Sequence, residues 1–375
     1  MNESSNAQPP VNARKIALFL PSLRGGGAEK VTVNLAKGFL EKGFQVDIVL
    51  AKAEGPYLKQ VPEGVRVVDL GTGRVFKAMR PLIAYLRTER PWALISGISH
   101  ANVTAILARL AAMSPTRLLV VEHCTLSSAQ ADAVSVRART MHLFMRMLYP
   151  LVDRVIAVSR GVADDLVQTL GLAKKKVEVI YNPIIDADLL ARSQEPVDHP
   201  WFQTGSLPVI LSVGRLEYPK DFATLLRSFA IIRQSIPCRC VILGEGPDRA
   251  QIERLAEELG VKDDLWMPGF VDNPYAYMSK ARVQVLSSHW EGLPTVLVEA
   301  SACGTPILAT DCPSGPREII RNGENGQLVP VGDEKSMAVA LTDVLTGQRK
   351  SKSSALSRFE LSASASHYLK VLENG

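Results

Sequence analysis

The 375-residue chain is predicted to be an α/β protein built as two tandem units, each a parallel sheet covered by helices on both faces. Three observations predict this. Short β-branched runs alternate with amphipathic stretches almost throughout. The alternation breaks once, over residues 182–207, where Pro183, Pro196 and Pro200 stand among few apolar residues in register, and Pro208 follows. The length also exceeds the roughly 250–300 residues at which a single core stops growing.

In the first half, the strand candidates are 15–20, 45–50, 65–70, 93–96, 117–122, 154–158 and 177–180. Helical periodicity fills 28–42, 101–113 and 160–170 between them. The proline-rich stretch 182–207 reads as an interdomain linker. Alternation then resumes with strand candidates 209–213, 240–243, 265–267, 283–286, 306–309 and 327–329. The matching helical stretches are 221–234, 249–259, 295–303 and 334–345. Residues 1–13 read as a loose polar tail without the apolar core of a signal peptide. A Lys/Ser-rich linker is expected over 348–357, before a last helix. The expected domains are therefore 14–186 and 187–350, with a closing helix in 351–375 for which a return to the first domain is one arrangement. Open α/β sheets bind ligands at the carboxyl ends of their strands, so two such sheets are expected to share one ligand in a cleft.

Composition narrows the class further. Hydrophobic residues make up 46% and charged residues 22%, which excludes a disordered chain, a collagen and a coiled coil. No apolar run reaches the ~18 residues of a spanning helix. Five cysteines, an odd number, argue for a reducing compartment rather than a disulfide scaffold. Charge is uneven: 24 Lys/Arg stand against 16 Asp/Glu up to Leu190, and 19 against 22 beyond it. The two halves are thus expected to meet different partners, unless the surplus is only solvated surface.

Three segments could carry chemistry. Arg24-Gly25-Gly26-Gly27-Ala28-Glu29 follows the first strand and precedes a helix, where backbone N–H groups favour an anion. It lacks the sixth-position Gly/Ala of a dinucleotide fingerprint and the Gly-Lys-Ser/Thr ending of a phosphate loop, so a simple tight turn stays open. Gly214-Arg215-Leu216-Glu217-Tyr218-Pro219-Lys220-Asp221 follows the first strand of the second unit. Its Arg215 and Lys220 suit a diphosphate, although two loop cations are common on surfaces. Glu291-Gly292-Leu293-Pro294-Thr295 leads into a helix carrying Glu299. Carboxylates accept from paired sugar hydroxyls. Read alone, Glu291 could equally be a turn residue and Glu299 an exposed helix residue.

Taken in order, these segments resemble the retaining, nucleotide-sugar-dependent glycosyltransferases of family 4. Those enzymes have the GT-B fold, in which two Rossmann-like domains face each other across a cleft. The resemblance runs from about Lys15 to Leu345 and rests most on Glu291–Glu299 with its Gly-Leu-Pro core. Ala157-Val158-Ser159, Asn182-Pro183, Gly244-Glu245-Gly246 and Pro268-Gly269-Phe270 support it. It implies that Arg215 and Lys220 neutralise the donor diphosphate, with Gly214 beside them. Glu299 would hold the ribose, and Glu291 would face the donor sugar. The backbone of Leu293, Pro294 and Thr295 would contact phosphate and sugar. Gly269, Phe270 and Val271 would line the base pocket, and Gly26 and Gly27 would approach donor or acceptor. His123, after the strand 117–122, would stand near the reacting sugar, although a lone histidine at a strand end is more often structural.

No Asp-x-Asp stands at a strand end; Asp186-Ala187-Asp188 lies in the expected linker. The chemistry is therefore expected to need no metal and no other cofactor. Glu122 beside His123 is a poor covalent nucleophile candidate, because adjacent strand residues point to opposite faces. The donor is expected to be a UDP-sugar and the acceptor a glycan or lipid-linked glycan. Residues 74–87 and 137–149 mix cations with apolar residues, as interfacial helices do, although ordinary amphipathic helices with snorkelling cations have the same composition. The first domain is thus expected to associate with a membrane surface, and the protein to be cytoplasmic and peripheral at the inner face. No nucleic-acid partner is expected, since aromatics are only 6%. Two other readings are a nucleotide-sugar epimerase of the same fold and a non-catalytic sugar or sugar-nucleotide binder.

Overall fold

The computed structural model describes residues 14–127, 136–320, 324–347 and 356–374. The expected tail over 1–13, most of the expected linker over 348–357 and the side chain of Arg137 lie outside the described residues.

The chain divides into two compact units. The first runs to Val158, resumes over Val162–Pro183 and takes back the C-terminal segment from Leu361. The second holds Ser159–Gly161 and Ile184–Glu360.

The first unit is a seven-stranded, all-parallel sheet of order β3-β2-β1-β4-β5-β6-β7. Its strands are β1 (Lys15–Leu20), β2 (Gln45–Leu50), β3 (Arg66–Asp69), β4 (Ala93–Gly97), β5 (Arg117–Glu122), β6 (Arg154–Ala157) and β7 (Val177–Val179). The central strands are continuous apolar runs because helices cover both faces. The helices are α1 (Gly27–Glu41), α2 (Met79–Glu89), α3 (Ser99–Ala112), α4 (Val136–Leu148) and α5 (Arg160–Leu170).

The second unit repeats the plan with six parallel strands, in the order β10-β9-β8-β11-β12-β13. They are β8 (Val209–Val213), β9 (Arg239–Leu243), β10 (Leu265–Gly269), β11 (Val283–Leu286), β12 (Ile307–Thr310) and β13 (Gly326–Val329). Its helices are α6 (Ala187–Ser193), α7 (Phe222–Arg233), α8 (Arg249–Glu258), α9 (Pro274–Lys280), α10 (Thr295–Ala302), α11 (Pro316–Ile319) and α12 (Glu334–Leu345). Phe222, Leu225, Phe229 and Ile232 of α7 and Met337 and Leu341 of α12 bury one core with Ile210, Val283 and Leu308. Each such side chain contributes about 2 kcal/mol of burial.

In both sheets the strand order reverses between the first and fourth strands, at β1/β4 and at β8/β11. Outside the carboxyl ends at such a reversal, neighbouring connections leave to opposite faces and a ligand crevice opens.

A last helix, α13 (Leu361–Asn374), belongs to the first unit. Gly38 of α1 lets it close in, since a Cβ there would stand 3.0 Å from that of Ala365. Tyr368 packs edge-on against Phe39, with ring centres 6.3 Å apart.

One sequence expectation needs correction. Residues 182–207 are not a bare linker. Helix α6 sits inside them, capped by Asp186, whose Oδ1 accepts from Leu189 N at 2.9 Å, and it packs on α9. Asp186 is thus a helix cap within the Asp-x-Asp triplet. His199 stacks on Trp266 at 3.8 Å, and Phe202 meets Tyr277 edge-on at 5.2 Å. The unit boundary falls at Pro183, because the N–H groups of both Ile184 and Ile185 donate to Phe359 O.

Candidate functional site

The second unit's reversal point is built by two connections. After β8 the chain turns through Gly214 and Arg215 into a short 3-10 turn over Tyr218–Lys220. Asp221 then takes a left-handed conformation, φ 43° and ψ 54°, and caps α7 by accepting from Thr224 N at 3.2 Å and Thr224 Oγ1 at 2.6 Å. A non-glycine residue there is strained by about 1 kcal/mol or more, and such strain concentrates at functional sites. After β11 the chain runs through Ser287, Ser288, His289 and Trp290 to Glu291.

Hydrogen bonds tie the two connections together. His289 N donates to Pro219 O at 2.8 Å, and Ser287 Oγ donates to Lys220 O at 2.8 Å. Lys220 Nζ donates to Glu291 Oε1 at 2.6 Å, and Ser288 Oγ donates to the same oxygen at 2.7 Å. The Lys220 side chain is 25% exposed and that of Glu291 10%. Two expected site residues 71 positions apart are therefore in direct contact. Arg215 differs: 69% exposed, it lies 3.4 Å from Glu217 on its own loop.

Glycines let the strand ends crowd here. A Cβ at Gly214 would rest 3.7 Å from Lys220 Cε, so the lysine stem lies over that glycine. Gly244, with φ +142°, sits so close to Gly214 O that any side chain would collide with it. Gly269, with φ +91°, ends β10, and its carbonyl accepts from Gly244 N at 2.9 Å. Phe270 follows it, 49% exposed, and Val271 is half-buried.

Helix α10 starts at Thr295 with Pro294 at its cap position and no side-chain acceptor. Its first N–H groups are unmatched within the helix, which favours an anion. Leu293 and Pro294 are buried and Thr295 half-buried. Ser314 Oγ fastens this turn by donating to Gly292 O at 2.9 Å. Glu299, in the second turn, is 9% exposed and not the surface residue that helix position alone allows.

In the first unit, the connection after β1 carries the glycine loop. Gly25, with φ +110°, requires glycine. Gly26 precedes α1, and a side chain there would strike the Glu29 carboxylate, whereas a Cβ at Gly27 would meet nothing within 4 Å. After β4, Ile98 takes φ 76° and ψ 126°, an outlier for a β-branched residue. His123 follows β5, and its Nε2 would stand 3.3 Å from a Cβ placed on Gly97, so the absent side chain leaves room for the ring. The imidazole is half-buried, and desolvation holds it down to about 4, neutral at pH 7.

Glu122, beside His123, is buried in a polar cluster. It accepts from Asn102 Nδ2 at 2.9 Å, from Ser99 Oγ at 3.0 Å and from the Tyr149 hydroxyl. Burial pushes this carboxyl up, against the lowering effect of those donors. Glu122 thus faces the interior and ties α3 to the strand that carries His123.

The sequence reading missed Ser287, Ser288, His289 and Trp290. Their signal was available: a polar and aromatic run between a strand and the Glu-Gly-Leu-Pro turn. Tyr218 was also missed, and its ring centre lies 5.0 Å from that of His289.

Two Rossmann-like parallel sheets, the second with cations and an uncapped helix start at its reversal point, define the class as GT-B. Residues 199–358 match the family model "Glycosyl transferases group 1", and residues 25–187 match "Glycosyltransferase Family 4". The chain belongs to this family and is a glycosyltransferase. It is similar to the N-acetylgalactosamine-N,N'-diacetylbacillosaminyl-diphospho-undecaprenol 4-alpha-N-acetylgalactosaminyltransferase of Campylobacter jejuni, 29% identical over 95% of this chain and 99% of the relative. A second Campylobacter jejuni relative, an alpha-1,4-N-acetyl-D-galactosaminyltransferase acting on a GalNAc-alpha-(1->4)-GalNAc-alpha-(1->3)-diNAcBac-PP-undecaprenol, is 27% identical over 96% and 98% of the two chains. In fold, the chain matches Anabaena HepE in complex with UDP and glucose, with a TM-score of 0.80 and 20% identity, covering 96% of this chain and all of that one.

Proposed function

We propose that this glycosyltransferase moves a sugar from a UDP-sugar to a glycan carried on a lipid diphosphate, with retention of configuration and without a metal. The observation that carries the donor half is the junction of Lys220 and Glu291 at the β8/β11 reversal point, with Arg215 on the same loop. In transfer, negative charge grows on the departing phosphate. Lys220, Arg215 and the first N–H groups of α10 answer that charge as fixed donors, the role a divalent cation fills elsewhere. Glu291 accepts from hydroxyls of the donor sugar and Glu299 from the ribose. Leu293, Pro294 and Thr295 line the phosphate and sugar, and Gly269, Phe270 and Val271 the base. In the first unit, His123, as a neutral imidazole, and Gly26 and Gly27 are assigned to sugar binding. The names of the two Campylobacter jejuni relatives support an N-acetylhexosamine donor and a polyprenyl-diphosphate acceptor.

A lipid-linked acceptor supports a place of work peripheral at the cytoplasmic face of a membrane. Among the described residues no helix is long and apolar enough to cross one. The two basic stretches are not equivalent. In 74–87 Val75, Ala78, Leu82, Tyr85 and Leu86 are buried and only Phe76 of the large apolar side chains is exposed, as in an ordinary amphipathic segment. In α4, Leu143, Phe144 and Met147 are exposed beside the exposed cations Arg139 and Arg146. Helix α4 packs on α3, whose C-terminal end exposes Leu110 and Met113. That surface has the composition of an interfacial face.

The test is release of UDP from a panel of UDP-sugars in the presence of a polyprenyl-diphosphate-linked oligosaccharide, with and without excess chelator. Acceptor-dependent release that survives the chelator is expected. Release that requires added metal, or a donor sugar rearranged without acceptor, would sink the reading.

A further inference from the structure

Glu291 has two tasks that draw on one carboxylate, whose Oε1 already accepts from both Lys220 and Ser288. As a sugar-facing carboxylate it must offer oxygens to hydroxyls. Yet one of those oxygens already holds Lys220 at 2.6 Å, and both side chains are mostly shielded from water. Lys220 is a compact point charge, and a carboxylate this close neutralises most of it. A diphosphate brought to Lys220 therefore arrives beside an anion that already occupies the cation.

Resting on the donor-site reading above, we propose that Glu291 is the resident counter-ion of Lys220, and that a nucleoside diphosphate must displace it. Ser288 makes the exchange inexpensive. Its hydroxyl donates to the same Glu291 oxygen at 2.7 Å and is itself almost fully buried, so the carboxylate keeps a donor when the lysine turns away. Arg215 has no comparable restraint: its contact with Glu217 is 3.4 Å long and exposed, which is worth little.

The exchange discriminates between donor and product. A UDP-sugar compensates Glu291 with sugar hydroxyls as it takes Lys220. UDP alone offers no such hydroxyls and leaves the carboxylate close to its phosphates. Once the sugar has gone to the acceptor, Glu291 competes again for Lys220 and loosens the UDP that remains. The one carboxylate thus serves both recognition of the sugar and release of the product.

The test is calorimetric titration of UDP into the wild type, Glu291→Gln, Lys220→Met and the double variant at one ionic strength, each checked for a wild-type melting profile. Glu291→Gln is expected to bind UDP about tenfold more tightly, a change of about 1.4 kcal/mol. Lys220→Met is expected to bind at least about tenfold more weakly. With Lys220 already gone, adding Glu291→Gln should change UDP affinity by less than about twofold, as a direct pairwise coupling requires. Should Glu291→Gln not fold, Glu291→Asp withdraws the carboxylate by one methylene and is expected to tighten UDP in the same direction.

The failures separate cleanly. If the wild type ignores millimolar UDP, or Lys220→Met binds it unchanged, the donor-site reading falls and takes the proposal with it. If Lys220→Met weakens UDP while Glu291→Gln leaves it equal or weaker, the site reading stands and the exchange is overturned. If the double variant tightens as much as Glu291→Gln alone, Glu291 acts through the general field and not through Lys220, which also overturns it.

Discussion

The two sheets share one topology, but the β8/β11 end of the second and the β4/β5 end of the first differ in charge. At β8/β11 the side chains are ionic and partly open: Lys220 against Glu291, Arg215 towards solvent, and an uncapped helix start at Thr295. At β4/β5 the groups are neutral or buried: an imidazole held near 4, and a carboxyl enclosed by Asn102, Ser99 and Tyr149 without a cation among those donors. Each end carries a strained non-glycine residue at a helix start, Asp221 in one and Ile98 in the other. The same scaffold thus carries an ionic junction beside β8/β11 in one unit and a neutral imidazole beside an enclosed carboxyl at β4/β5 in the other.

Removing the ionic character should have the largest effect. Lys220→Ala is expected to lower transfer by about a hundredfold, at the scale of one preorganised donor to a developing anion. Its melting temperature should stay close to wild type, because Ser288 Oγ still donates to the Glu291 oxygen that Lys220 leaves. If Glu299 holds the ribose as proposed, Glu299→Ala is expected to cost about tenfold, mainly through donor KM, since such a contact would be made in ground and transition states alike. Steady-state kinetics check both. Wild-type turnover in either variant would remove that residue from the donor site.

The same contrast explains what the sequence could and could not show. Apolar runs and their spacing reveal strands, and the runs 15–20, 45–50, 117–122, 209–213 and 283–286 coincide with β1, β2, β5, β8 and β11. The stretch 182–207 misleads because its apolar residues are too few and too scattered to show a period. Their partners, Trp266 and Tyr277, lie more than sixty positions away. At the site, the motif order marks Lys220 and Glu291 separately, but their contact depends on β8 and β11 being neighbours, a fact of strand order. Nor does spacing predict that Glu299 is buried, because the surroundings that bury it come from other parts of the fold.

The neutral end can be probed by its stability against pH. The folded state holds His123 near 4, whereas an unfolded histidine titrates near 6.5. Between those values the unfolded chain binds more protons, so this group makes stability rise with pH from about 4 to 6.5 and level off above. Glu122 acts in the opposite sense: its folded value is raised, so the native state binds more protons just above 4.5 and stability falls as pH rises. Glu122→Gln should therefore steepen the rise in stability between pH 4.5 and 6.5 relative to wild type, and His123→Gln should flatten it. Urea denaturation at several pH values measures both slopes. Equal slopes in all three proteins would mean that neither group is buried as described.

The smallest expected effect tests whether the neutral end takes part in transfer at all. A methyl group on Gly97 would stand 3.3 Å from both His123 Nε2 and Leu20 Cδ2, closer than either neighbour accepts without giving way by a few tenths of an ångström. Gly97 has no positive φ, so alanine adds crowding without backbone strain. The His123 ring follows β5 at the edge of a connection and can shift, whereas Leu20 is fully buried within β1. The displacement should therefore fall on the imidazole. If His123 serves the reacting sugar, Gly97→Ala lowers kcat by roughly fivefold, the scale of a small misplacement beside reacting atoms, while UDP affinity stays at the wild-type value. An unchanged kcat with a lowered melting temperature would make His123 a packing residue, and only the ionic end would then remain as reaction machinery.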